Sequence, residues 1–172
     1  MIITLLGYMA SGKSFVGKKL AEVLEYKFVD LDAYIEEKEQ KSIQEIFETK
    51  GEIYFRKIES TYIRDLVSKD TNCLLALGGG TPCYANTMHF LLEQKHVHTV
   101  YLQVSINSIV ERLQKETTIR PLVSHLKSQE DLLEFIGKHL FERLQFYNQA
   151  SYTIDANKQL NTIIEAIVLK LF

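Results

Sequence analysis

The chain opens Met1-Ile2-Ile3-Thr4-Leu5-Leu6 and runs straight into Gly7-Tyr8-Met9-Ala10-Ser11-Gly12-Lys13-Ser14. The apolar run ended by Gly7 has the pattern of a strand buried on both faces. Beyond the glycines, Val16, Leu20, Val23 and Leu24 recur at helical spacing. The eight residues in between satisfy G-x-x-x-x-G-K-[S/T] in the strand-loop-helix setting that a phosphate-binding loop requires. Gly7 and Gly12 can take backbone angles closed to other residues, so successive amide hydrogens can converge on phosphates at the positive end of the helix. Lys13 adds a mobile positive charge for β- and γ-phosphates, and the Ser14 hydroxyl can ligate Mg²⁺.

Outward from this loop the strand-helix cycle repeats. Residues 28–31, 73–77, 99–102 and 152–154 read as four further strands. Phe55, Ile58, Tyr62 and Leu66 mark one helix, and Ile163, Ile164, Ile167, Val168 and Leu171 mark the last. Ser42 with Glu45, and Ser128 with Asp131, look like helix starts. Parallel neighbours need a crossover that is usually helical, so the alternation predicts an α/β three-layer sandwich with a five-stranded parallel sheet. Ligands of such sheets sit at the carboxyl ends of the strands. The least regular stretch, 116–127, reads as a surface loop suited to a lid.

At 172 residues the chain fits one domain, spanning 1–172. A net charge of -2 argues against a nucleic-acid surface, which needs a clustered positive field. Cys73 and Cys83, the two cysteines, match neither a disulfide framework nor a metal spacing. The apolar start has no basic leader, and no run of eighteen apolar residues could span a bilayer, so a cytoplasmic protein without membrane contact is expected. The five histidines have no metal spacing and read as structural or solvated.

Three more groups of residues carry chemistry. Asp30-Leu31-Asp32 closes the second strand, where period-two geometry sends both carboxylates to one side. One can hold Mg²⁺ and the other can accept a hydroxyl proton. The alternative role for Asp32 is only to cap the next helix. Gly78-Gly79-Gly80 follows the third strand and lets backbone press against a ligand. Arg56 lies one turn before Glu59, Arg120 heads Arg120-Pro121-Leu122 in the irregular loop, and Arg143 precedes Tyr147 by one turn. Each arginine could equally be a solvated surface group.

The loop, Asp-x-Asp, Phe55-Arg56-Lys57-Ile58-Glu59, the triple glycine and Arg120-Pro121-Leu122 occur in an order and spacing that resemble shikimate kinase over essentially the whole chain. The resemblance implies a P-loop fold of the nucleoside monophosphate kinase type, with a lid at about 116–127 and a helical substrate-binding segment at about 32–66. It implies ATP held by Ala10, Ser11, Gly12, Lys13, Ser14 and Phe15, with Arg112 stacked on adenine and Arg120 over the phosphates. Mg²⁺ would lie near Ser14 and Asp30. Shikimate would sit against Asp32 and Gly78, Gly79 and Gly80, its carboxylate between Arg56 and Arg143. Lys13, Asp32 and Arg120 would be the catalytic residues of a monomer. The chain departs from the family pattern at Ala10, where glycine is usual, and at Phe15, where a small hydroxyl residue is usual. A gluconate kinase would share the loop and fold without needing Asp32, Arg56 and Arg143. A GTPase switch lacks support, because Leu160 stands where its guanine-reading Asp would be. A non-catalytic nucleotide-binding module is the remaining alternative.

Overall fold

The structure is a computed structural model that describes residues 1–69, 71–115, 122, 123, 126 and 128–172. Strand β1 (Ile2–Leu6) is buried at every position. It lies between β3 (Cys73–Ala76) and β4 (Val97–Gln103), with β2 (Lys27–Asp30) and β5 (Tyr152–Asp155) outermost. The order is β2-β3-β1-β4-β5 and every pairing is parallel, as the alternation of strands and helices predicts. A continuous apolar run suits β1 to the middle of a sheet covered on both faces. Its one polar side chain, Thr4, is fully buried, and Thr4 Oγ1 lacks a hydrogen-bond partner among the described residues.

Seven α-helices are present among the described residues: α1 (Lys13–Leu24), α2 (Leu31–Glu39), α3 (Ile43–Val67), α4 (Thr87–Glu93), α5 (Ile106–Lys115), α6 (Gln129–Tyr147) and α7 (Leu160–Leu171). Val16 and Leu20 of α1 are buried, whereas Val23 of the same periodic set stands half exposed. Ser42 and Glu45 form the expected capping box at the start of α3, and the Ser128 hydroxyl accepts from the Asp131 amide at the start of α6. Helix α3 is interrupted at Gly51, where φ 79° and ψ 172° are not helical.

The β2–α2 boundary falls one residue earlier than expected. Asp30 ends β2, and its Oδ1 accepts from the amides of Asp32 and Ala33, so Leu31 is the first residue of α2 and not the last of the strand. The cap considered for Asp32 therefore belongs to Asp30. Asp32 stands in the first turn of a helix, so alternation along a strand is not what sets its direction. The third strand also stops one residue early, at Ala76, and the fourth extends to Gln103.

Register brings the functional loops together. Leu5, Asp30 and Ala76 lie in one row across β1, β2 and β3. The phosphate-loop glycines, the start of α2 and the triple glycine thus leave the sheet along one edge. The expected lid lies mainly outside the described residues, and Arg120 with it.

Candidate active site

Residues 7–12 form the loop expected between β1 and α1, and Lys13 and Ser14 open the helix. Gly7 has φ 149°, and a Cβ there would approach the Leu102 carbonyl oxygen to 2.8 Å. Ala10 sits in the left-handed region at φ 58°, a conformation that costs an L-residue roughly 1–2 kcal/mol. Its carbonyl accepts a hydrogen bond of 3.1 Å from the Arg112 guanidinium, whose other nitrogen donates to the Ala156 carbonyl at 2.9 Å. Arg112 thus ties the strained peptide to the turn after β5. Lys13 Nζ donates to the carbonyls of Gly7 and Tyr8, each at 2.9 Å, which keeps the ammonium over the loop.

A cavity of about 700 Å³ opens above this loop. Ala10, Ser11, Gly12, Lys13, Ser14 and Phe15 all contribute to its wall. So do Asp30, Asp32, Gly78, Gly79 and Arg112. Phe15 presents its ring with 68% of the residue exposed. Lys115 and Lys158 also line the cavity, although neither was among the expected site residues. Ser14 Oγ donates to Asp30 Oδ2 at 2.5 Å, which sets two hard oxygen ligands side by side.

Asp32 faces this cavity as well. Burial first, and then the negative charges of Asp30 and Glu59, raise its carboxyl from about 3.8 to about 6, against the opposing pull of Lys13. The side chain is open to cavity water while protein surrounds the cleft on most sides. It is therefore ionised at neutral pH and more basic than an ordinary aspartate.

A second cavity, of about 450 Å³, lies on the other side of Gly79. Met9 and Gly79 line both cavities, so the two meet at the phosphate loop. Arg56 and Arg143, 87 positions apart in sequence, share the second cavity with Gly80. Arg56 is not a solvated surface group. Its Nη1 donates at 3.0 Å to Glu59, which is 2% exposed and also accepts from Thr81 Oγ1 at 2.6 Å. The Tyr84 ring lies under the guanidinium with its centroid 4.0 Å away. A Cβ on Gly80 would come within 3.0 Å of Arg56 Nη2, so the glycine is what lets the guanidinium lie against the backbone. Gly78 belongs to the first cavity only.

Helix α6 supplies the other arginine and is tied to the site at two points. Tyr147 donates to the Gly79 carbonyl at 2.6 Å. Tyr8 OH and His139 Nδ1 are hydrogen-bonded at 2.8 Å. Burial pushes the Tyr8 phenol up to about 12, and burial together with Arg143 pushes the His139 imidazole down, so both are neutral at pH 7. His139 was expected to be structural or solvated, but it lines the second cavity. Glu52, Tyr84 and His139 escape a reading of the sequence. Only Glu52 leaves a trace there, one helical turn before Arg56.

The family profile described as shikimate kinase matches residues 9–172. A shikimate kinase of Flavobacterium johnsoniae is 41% identical over 167 residues, covering 96% of each chain. The crystal structure of shikimate kinase from Bacteroides thetaiotaomicron superposes with a TM-score of 0.92 at 32% identity, covering 99% of this chain and 98% of that one. Shikimate kinase from Acinetobacter baumannii, solved in complex with shikimate, gives a TM-score of 0.83 at 31% identity, over 99% and 92% of the two chains. Two cavities that share a wall at Met9 and Gly79 beside a phosphate loop, and likeness along nearly the full length, lead to one conclusion: the chain belongs to the shikimate kinase family.

Proposed function

We infer that the chain transfers the γ-phosphate of ATP to the 3-hydroxyl of shikimate, yielding shikimate 3-phosphate and ADP on the route to chorismate and the aromatic amino acids. The observation that carries this reading is the shared wall at Met9 and Gly79. It sets a cavity with two arginines next to the one that holds the phosphate loop. A carboxylate forked by Arg56 and Arg143 fixes a small anion at one end. The opposite end of that molecule is then directed at the phosphate loop and Asp32.

Phosphoryl transfer asks little covalent chemistry of a protein, so alignment and charge neutralisation carry the rate. Lys13 neutralises charge on the β- and γ-phosphates. Asp32 orients the 3-hydroxyl and takes its proton, which in a loose transition state leaves late. Arg120, outside the described residues, is assigned to the transferring group, and Arg112 to the nucleotide end of the first cavity. The adjacent oxygens of Ser14 and Asp30 fit Mg²⁺, which takes one or two protein ligands and completes its shell with phosphate and water. Among the described residues no group of three or more His, Cys, Asp or Glu could hold a metal alone, in keeping with such a shared shell. When bound, Mg²⁺ supplies positive charge to the β- and γ-phosphate oxygens.

The chain is assigned to act as a single kinase unit and a monomer, in the cytoplasm. Both cysteines are free, and no helix among the described residues is long and apolar enough to cross a membrane. The test is ADP release from ATP and Mg²⁺ with shikimate, gluconate or a nucleoside monophosphate as acceptor. Stimulation by shikimate alone is expected. Stimulation by gluconate instead would make the chain a kinase of another specificity, and none with any acceptor would make it a nucleotide-binding module.

A further inference from the structure

Arg56 presents two hydrogen-bonding edges, and they are occupied very differently. The Nη1 side is held by Glu59, which is buried, close at 3.0 Å, and itself anchored by Thr81. The face rests on Tyr84. These contacts hold the guanidinium from one edge and one face. The other edge, Nε with Nη2, is the fork that takes a carboxylate in bidentate fashion. In this chain it is met by one oxygen of Glu52, at 3.4 Å from each nitrogen. Those bonds are long, and the Glu52 side chain is 53% exposed on the wall of the second cavity. Glu52 directly follows the break in α3 at Gly51.

We propose that Glu52 is an affinity-setting residue that stands in for the acceptor's carboxylate on the Nε/Nη2 edge of Arg56 and is displaced when the acceptor binds. This rests on the acceptor reading given above. An incoming carboxylate exchanges one anionic partner of Arg56 for another and gains only the difference between a bidentate contact and a long, exposed one. An acceptor without a carboxylate cannot make the exchange and leaves the Arg56–Glu52 pair intact. Glu52 therefore lowers affinity for the anion and leaves affinity for a neutral analogue unchanged.

Neutralising Glu52 should tighten anion binding by about two- to fivefold, which is about 0.4–1 kcal/mol and within the range of an exposed ion pair. The experiment is calorimetric titration of shikimate, and of its neutral carboxamide, into the wild-type protein and the Glu52→Gln and Glu52→Ala variants, with folding checked by circular dichroism. Tighter shikimate binding by both variants with unchanged carboxamide binding supports the proposal. Equal or weaker shikimate binding overturns it, because Glu52 would then be positioning Arg56. Equal tightening for shikimate in an Arg56→Met background also overturns it, since the effect would be a general field and not a contest for one edge. Failure of the wild-type protein to bind shikimate at all would remove the acceptor reading and this inference together, an outcome distinct from the other two.

Discussion

Replacing Asp32 by Asn removes a carboxylate that the fold holds at an energetic disadvantage. Its carboxyl is raised from about 3.8 to about 6, chiefly by burial and then by Asp30 and Glu59. Taken in full, a shift of that size corresponds to about 3 kcal/mol between the two protonation states. Because the side chain is wetted by the cavity, solvent screening reduces this to about 1–2 kcal/mol. The sign follows from linkage. A carboxyl with a raised folded pKa contributes fully to stability below about 3.8, and loses that contribution as pH rises through about 6. Near pH 4 the wild-type protein and Asp32→Asn should unfold together. By pH 8 the variant should be more stable by about 1–2 kcal/mol, or roughly 3–6 °C in Tm. Activity should move the other way, with kcat falling by about 10²–10⁴ at pH 8 for want of a proton acceptor. In the wild-type protein kcat/KM should fall as pH drops through about 6. Thermal melts at pH 4, 6 and 8 beside steady-state kinetics check all of this. A variant that is less stable at pH 8, or that keeps more than about a tenth of the wild-type kcat, refutes the reasoning.

Two further substitutions test other parts of the account. Thr4→Val replaces a fully buried hydroxyl that has no partner among the described residues, so thermal unfolding should show a gain of about 1 kcal/mol with activity unchanged. Gly80→Ala places a methyl group within 3.0 Å of Arg56 Nη2, which a flexible arginine can evade only by leaving its place. KM for shikimate should rise about tenfold, the worth of one hydrogen bond to a charged group, with Tm held within about 2 °C.

The sheet was legible because its cause is local. A buried parallel strand needs a short apolar run, and a phosphate loop needs its glycines and lysine at fixed offsets. The lining of the first cavity was legible for the same reason, since Lys13, Ser14 and Asp30 sit where motif and strand end put them. The handover from β2 to α2 was not. Whether Asp30 or Asp32 caps the helix depends on which carboxylate reaches back to the free amides, and the two are chemically identical in sequence. The second cavity was legible only through Arg56, Gly79, Gly80 and Arg143. Tyr84 supports Arg56 from 28 positions away, and His139 meets Tyr8 across 131. Contacts of that kind leave no periodic signal, because tertiary packing alone creates them. Arg120 lies outside the described residues, so its assignment rests on the motif.

In the proposed function, Lys13 and Asp32 act on an alcohol whose carboxylate is held by Arg56 and Arg143 in the adjoining cavity. The most direct test is phosphorus NMR of the products formed from ATP, Mg²⁺ and shikimate by the purified protein. A new phosphomonoester on the 3-hydroxyl, formed in step with ADP, is the predicted result. ADP appearing only with inorganic phosphate, or only with a different acceptor, would contradict it.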